Sequence, residues 1–230
     1  MAVRYTPKIV TDGLVMCLDA ANPKSYPGSG TAWYDLSKNN NHATLQSGPT
    51  FSSANGGIIV NDTVDDYIQV NNSTSLQMTT GFTLGIWVKF NNILGVSYRN
   101  LIGKPHYMYY GIIVEWYGNN PLLPDFYANS ARHTEPGLIY PSLTDWNYVV
   151  HSYNSTGGTN NQAFYVWNSS AKTNKYATQG NLTVTTSTDP LYIGQAGLGI
   201  SIGPVWVYNK GLTESEVLQN YNATKSRFGL

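Results

Sequence analysis

Short apolar runs with a period of two recur along almost the whole 230-residue chain, each closed by a turn cluster. They fall near 13–19, 42–46, 57–60, 66–70, 82–90, 98–103, 107–117, 124–128, 138–140, 146–153, 163–168, 175–179, 191–194 and 200–208. Asn22-Pro23, Pro27-Gly28, Asn55-Gly56-Gly57, Gly118-Asn-Asn-Pro121 and Gly157-Gly158 separate several of them. Strands this short bury one face only by packing on a second sheet, so the expected class is all-β, two antiparallel sheets face to face. Within 82–90, Phe82, Leu84, Ile86, Val88 and Phe90 share the expected core face while Trp87 lies on the other. Within 146–153 both faces are mixed, and alternation leaves the inward one open.

The period changes once. Val205 and Val207 alternate with Trp206 and Tyr208, and then Thr213 and Glu216 form a Ser/Thr-x-x-Glu capping box. Leu212, Val217, Leu218 and Tyr221 supply an apolar stripe, which predicts one short helix over 212–224 that is stable only when packed on something larger. No internal repeat, low-complexity linker or domain boundary interrupts the chain, so 1–230 is expected to form a single sandwich domain. Residues 20–40 make a long Pro/Gly-rich aromatic loop, a candidate for projecting and mediating contacts.

Charge excludes several partners. Only 11% of residues are charged, against 41% hydrophobic, and the net charge is zero. Without a basic run to neutralise phosphates, neither nucleic acid nor an anionic membrane is an expected partner. The apolar window Leu14-Val-Met-Cys-Leu18 is bounded by Asp12, Gly13 and Asp19, so it reads as neither a membrane span nor a signal-peptide core. One cysteine, Cys17, excludes an internal disulfide and is expected to be a buried thiol.

The closing segment, Gly199-Ile-Ser-Ile-Gly-Pro-Val-Trp-Val-Tyr-Asn-Lys-Gly-Leu-Thr-Glu-Ser-Glu-Val217, resembles the last strand and closing helix of laminin-G-like, concanavalin A-like sandwich domains. Phe82-Thr-Leu-Gly-Ile-Trp-Val-Lys-Phe90, Asp145-Trp-Asn-Tyr-Val-Val-His-Ser-Tyr153, Ala163-Phe-Tyr-Val-Trp-Asn168 and Leu191-Tyr-Ile-Gly194 follow in the family's order. Ile9-Val-Thr-Asp-Gly-Leu-Val-Met-Cys-Leu18, Trp33-Tyr-Asp-Leu-Ser37 and the ending Arg227-Phe-Gly-Leu230 look like free-standing modules of this type in tailed-phage structural proteins, cyanophages especially. The resemblance covers essentially all 230 residues. It implies a concanavalin A-like antiparallel β-sandwich (jelly roll) with one short C-terminal helix, a structural role for Trp87, and a virion protein assembled in the host cytoplasm. Other virion proteins, further copies of the chain in a homo-oligomer and cell-surface polysaccharide are the partners it suggests.

Chemistry is sparse. Retaining glycosidases of this superfamily carry Glu-x-Asp-x-x-Glu on one strand, so that acid and nucleophile share a cleft. None of Glu115, Glu135, Glu214 and Glu216 lies in such a pattern, and the nearest acid downstream of Glu115 is Asp125, beyond a turn. His42, His106, His133 and His151 are scattered without zinc spacing. With the resemblance, this implies a non-enzymatic virion structural protein, a capsid decoration or tail- or fibre-associated module acting by protein–protein contacts that glycan contacts can supplement, ahead of a host-polysaccharide adhesin and, last, a glycoside hydrolase. Calcium is raised by the resemblance, with Asp62, Asp65 and Asp66 as candidates, but the segment lacks EF-hand spacing, and a tight turn capped by aspartates is the expectation, with no cofactor. Glycan binding needs flat rings beside Asn, Asp or Gln. Tyr109, Trp116, Tyr117, Asn119, Asp125, Tyr127 and Trp167 are the candidate surface, for a sugar or for a protein partner.

Overall fold

The computed structural model describes residues 8–63, 65–93, 99–105, 109–117, 120–128, 131–133, 142–157, 161–177, 184–185, 187–195 and 198–230, with side chains throughout except at 93, 114–117, 120–128, 131–133, 175 and 177. The strands are β1 (Leu14–Leu18), β2 (Ala32–Trp33), β3 (Ala43–Gln46), β4 (Thr50–Ser52), β5 (Ile58–Asn61), β6 (Tyr67–Val70), β7 (Gly81–Ile93) and β8 (Arg99–Gly103). They continue with β9 (Tyr110–Tyr117), β10 (Asn120–Ala128), β11 (Ala131–His133), β12 (Asn147–Asn154), β13 (Gln162–Trp167), β14 (Lys172–Ala177), β15 (Leu191–Ile193) and β16 (Leu198–Tyr208). One α-helix follows, α1 (Glu214–Thr224), extended by a 3-10 turn over 225–228.

Two eight-stranded antiparallel sheets result, a concanavalin A-like sandwich. The first runs β14-β13-β12-β7-β16-β5-β4, and the second β11-β10-β9-β8-β15-β6-β3-β2. β16 organises the first sheet. One of its edges pairs along β7, and the other takes two strands in tandem, β5 against 200–202 and β1 against 205–208. The expected strand at 138–140 lies outside the described residues. The expected 175–179 strand instead spans Lys172–Ala177, because Asn168 accepts hydrogen bonds from the amides of Ser170 and Ala171 and reverses the chain early.

The main core lies between the sheets. Phe82, Leu84, Ile86, Val88 and Phe90 point into it, as alternation requires, meeting Ile68, Val70, Ile102, Ile112, Leu191 and Ile193 from the other sheet. Each such side chain contributes roughly 1.5–3 kcal/mol by leaving water. A second apolar cluster forms on the outer face of the first sheet, where Trp87, Tyr148, Tyr165, Trp167, Trp206 and Tyr208 are covered by Val217, Tyr221 and Phe228. This explains why 146–153 looks mixed: Val149 and Tyr153 face the main core while Tyr148 and Val150 face the helix, so both sides are buried. Trp87 is fully buried and donates its indole N–H to Thr224 Oγ1 at 2.9 Å.

The capping box at Thr213 is complete, with Glu216 N to Thr213 Oγ1 at 3.3 Å and Thr213 N to Glu216 Oε2 at 2.9 Å. The helical stripe differs from expectation at one position. Leu218 is 38% exposed, and Asn220 and Thr224 are buried instead, because α1 turns its polar groups down to bond Val10 N and the indole of Trp87. The loop over 20–40 does not project. Tyr26, Trp33 and Asp35 are buried, and the Asp35 carboxylate accepts from the amides of Cys17, Ser37 and Asn41, which fastens the loop to β1. Cys17 is buried, and burial, reinforced by Asp19 and Asp35, pushes its thiol up to about 12.

Two further polar anchors matter. Arg227 Nη1 reaches both oxygens of Asp19 at 2.9 Å, while its other nitrogens donate to the carbonyls of Asn55 and Gly57 at 3.1 Å. Arg227→Lys loses this four-bond fork and is expected to cost about 2 kcal/mol, read as a lower urea midpoint with an unchanged slope. In the second sheet Lys104 is buried, and its ammonium donates to Asn72 Oδ1 and the Ser187 carbonyl, both at 2.6 Å. Burial lowers its pKa to about 8 despite the nearby Asp189.

Candidate functional site

The β13–β14 hairpin and α1 form a trough on the outer face of the first sheet. Register sets Trp167 opposite Lys172, Tyr165 opposite Asn174 and Ala163 opposite Tyr176. Alternation then puts Lys172, Asn174 and Tyr176 in a row along β14, facing the helix. That row spans roughly 13 Å at about 3.3 Å per residue.

Hydrogen bonds stitch the row to the first turn of α1. Trp167 Nε1 donates to Asn174 Oδ1 at 2.6 Å, Asn174 Nδ2 donates to Glu214 Oε1 at 2.9 Å, and Tyr176 Oη donates to Glu214 Oε2 at 2.7 Å. Each partner is thereby held in one rotamer. Tyr176 stays 42% exposed, and burial together with the Glu214 carboxylate raises its pKa. Beside it a recess of about 190 Å³ is lined by Asn154, Asn161, Tyr165, Tyr176, Thr213 and Glu214 among others. Across Asn154 and Thr213 this recess continues into a depression of about 610 Å³ bordered by Thr80, Thr156, Asn209, Lys210 and Glu216.

Charge in this region is locally neutralised. Lys210 bridges Asp12 and Glu216, and these hydrogen bonds raise its pKa. Burial opposes ionisation of Glu216, yet its bonds to Lys210 and Thr213 leave its pKa below the ordinary carboxylate value. Both glutamates are tied to fixed donors, Glu214 to Asn174 and Tyr176, Glu216 to Lys210 and Thr213. The arrangement suits holding hydroxyl-rich ligands: an exposed ring to stack on C–H faces, with amides, hydroxyls and carboxylates around it.

Of the candidate residues taken from sequence, the side chains of Trp167 and Tyr109 are described. Trp167 is 2% exposed, so it is not a platform; the Tyr221 ring covers it in a T-shaped contact at 5.1 Å. It also belongs to the first sheet, whereas Trp116, Tyr117, Asp125 and Tyr127 stand on β9 and β10 of the second. The side chains of those four, and Asn119 entirely, lie outside the described residues. Tyr109 is half-buried and packs on the main core. Asp66 is buried and accepts from the amides of Asp62 and Thr63 at 3.1 and 3.3 Å and from the Thr63 hydroxyl at 2.7 Å. Asp62 and Asp65 are exposed, and among the described residues no group of three His, Cys, Asp or Glu side chains is placed to hold a metal. Asn174, Tyr176 and Glu214 were not singled out as a binding set; the period-two alternation along 172–176 was the available signal.

No protein-family model matches the sequence, and no curated protein matches it. Solved structures do resemble it. Domain 4 of AbnA, an extracellular GH43 arabinanase from Geobacillus stearothermophilus solved with arabinotriose, aligns with TM-score 0.65 and 14% identity over 93% of this chain and 100% of that one. The binding domain of botulinum neurotoxin DC in complex with SialylT gives 0.66 and 11% over 92% of this chain and 52% of that one. Trypanosoma rangeli sialidase in complex with sialic acid gives 0.58 and 14% over 93% and 33%. This chain therefore spans all of the arabinanase domain, about half of the neurotoxin domain and a third of the sialidase. At these identities the likeness is one of fold, shared by binding domains and by enzyme chains alike.

Proposed function

We propose that the chain is a non-enzymatic glycan-binding sandwich, carried by a tailed-phage virion and used to hold a host-surface polysaccharide. The observation that carries the binding reading is the trough between β14 and α1, where the exposed Tyr176 ring is fixed against Glu214, which Asn174 also bonds, beside a polar recess. Neighbouring structures with bound sugars support it. The virion assignment rests on the sequence resemblance over residues 9–37 and 227–230. Non-enzymatic action is supported by the employment of Glu214 and Glu216 as fixed acceptors, which leaves neither as a proton donor to a leaving group.

Tyr176→Ala is expected to weaken binding to the host polysaccharide at least tenfold while leaving the melting temperature nearly unchanged, since the ring is exposed and stacking on one sugar supplies about that much. A glycan array and calorimetry check it. Blank arrays, or binding indifferent to Tyr176, refute the reading, and release of reducing sugar lost in Glu214→Gln replaces it with a hydrolase.

A second reading, attachment to another virion protein or to further copies of the chain, is favoured by Tyr34 and Leu36, which stand 44% and 37% exposed on the otherwise fastened 20–40 loop. Sedimentation of the wild type against Tyr34→Ser and Leu36→Ser separates the two.

A further inference from the structure

The far end of the trough differs chemically from the recess. It opens into a depression of about 520 Å³ between the 168–171 turn and the end of α1, lined by Ser169, Ser170, Lys172, Tyr221 and Lys225 among others. Both lysines bring their ammonium groups to the Tyr221 ring, Lys172 at 4.4 Å and Lys225 at 5.3 Å from its centroid, and Lys172 also lies 5.4 Å from the Trp167 ring. A ring face attracts a cation without neutralising it. Elsewhere Arg227 and Lys210 are matched to carboxylates, but among the described residues none is within ion-pair reach of Lys172 or Lys225.

The last carbonyls of the helical segment, which would repel an anion here, are occupied. Gly229 N–H bonds to the Lys225 and Ser226 carbonyls, and Leu230 N–H to that of Lys225. The trough therefore carries Glu214 near one end and, at the other, two ammonium groups with no carboxylate among the described residues within ion-pair reach, where Leu230 also lines the depression.

We propose that this depression receives the anionic group of an acidic saccharide, a carboxylate or a sulfate ester, while the uncharged rings of that saccharide run along β14 toward Tyr176. The proposal rests on the glycan-binding reading and adds the ligand's charge and its direction in the trough. Lys172 and Lys225 would donate to the anion, and their aromatic seat keeps both in place before the ligand arrives.

The test is calorimetry with three oligosaccharides of equal length, one uncharged, one containing uronic acid and one sulfated, on the wild type and on Lys172→Gln with Lys225→Gln. At low salt at least one acidic ligand is expected to bind about tenfold more tightly than the uncharged one, and the tighter of the two identifies the group. Raising salt to about 0.5 M should shrink that preference in the unaltered protein, which needs no variant to fold. The double variant should bind all three alike, with the melting temperature of the wild type. Equal binding of all three ligands by the wild type, or a preference that survives in the double variant, overturns the proposal while leaving glycan binding intact. Failure of all three to bind overturns both.

Discussion

Raising the pH above about 10.5 is expected to unfold this protein steeply, after a rise in stability between about 8 and 9 and a nearly level range from about 9 to 10. The sign follows from which state keeps its protons. Cys17 ionises near 9.0 when exposed but near 12 when folded, so its contribution is present below pH 9 and is lost as the pH rises toward 12, about 4 kcal/mol in all. Burial raises Tyr110, Tyr148, Tyr165 and Tyr208 above their ordinary value of 10.0, so each begins to favour the unfolded chain above pH 10, adding a slope of about 1.4 kcal/mol per pH unit. Lys104 acts the other way. Its folded pKa near 8 lies below 10.5, so stability rises between those values, by at most about 3 kcal/mol. Lysine and cysteine therefore oppose one another between about pH 9 and 10, and beyond 10.5 the lysine no longer offsets the cysteine and the tyrosines. Denaturant midpoints at about pH 8, 9, 10 and 11 check this. A midpoint at about pH 11 no lower than that at about pH 10 would contradict it.

Trp87→Ala is the substitution expected to cost most, about 3–5 kcal/mol out of a total of about 5–15. Its ring stacks on Phe228 at 4.4 Å and Tyr221 at 5.6 Å and meets Tyr148 at 5.2 Å, so truncation opens a void under the whole C-terminal segment. Thr224→Val removes the acceptor of the indole N–H, which then lies buried without a partner, together with the hydroxyl's bond to the Asn220 carbonyl, a loss of about 1–3 kcal/mol. The two costs should not add, because removing the indole also removes the donor that Thr224 satisfies. Near-ultraviolet circular dichroism and urea melts of both single variants and the double variant measure this. Full additivity would mean that the helix is not fastened through this contact.

The strands were legible because alternation is a local property: Phe82 to Phe90 divide between two environments as written. The capped helix was legible for the same reason, since Thr213 and Glu216 are three residues apart and need no tertiary information. What sequence could not supply was the identity of the covered outer face. Trp167 and Tyr176 sit on adjacent strands of one hairpin, yet one is sealed and the other open, and the difference is the position of Tyr221 more than forty residues later in the chain. Leu218 was misread because the buried side of α1 is selected by what lies beneath it. Asn220 accepts from the Val10 amide and donates to the Tyr208 hydroxyl, which puts a polar residue inward at the expense of an apolar one.

Because β16 lies between β7 on one side and β1 with β5 on the other, three early strands wait for one late one. During translation, residues 14–18, 58–61 and 81–93 leave the ribosome long before residues 198–208 exist, so each carries an open edge of amides and carbonyls through most of synthesis. A pause anywhere upstream of residue 198 would hold that half-built surface exposed to neighbouring nascent chains, and yield in a host should then depend on chaperone supply and elongation rate more than on the stability of the finished molecule.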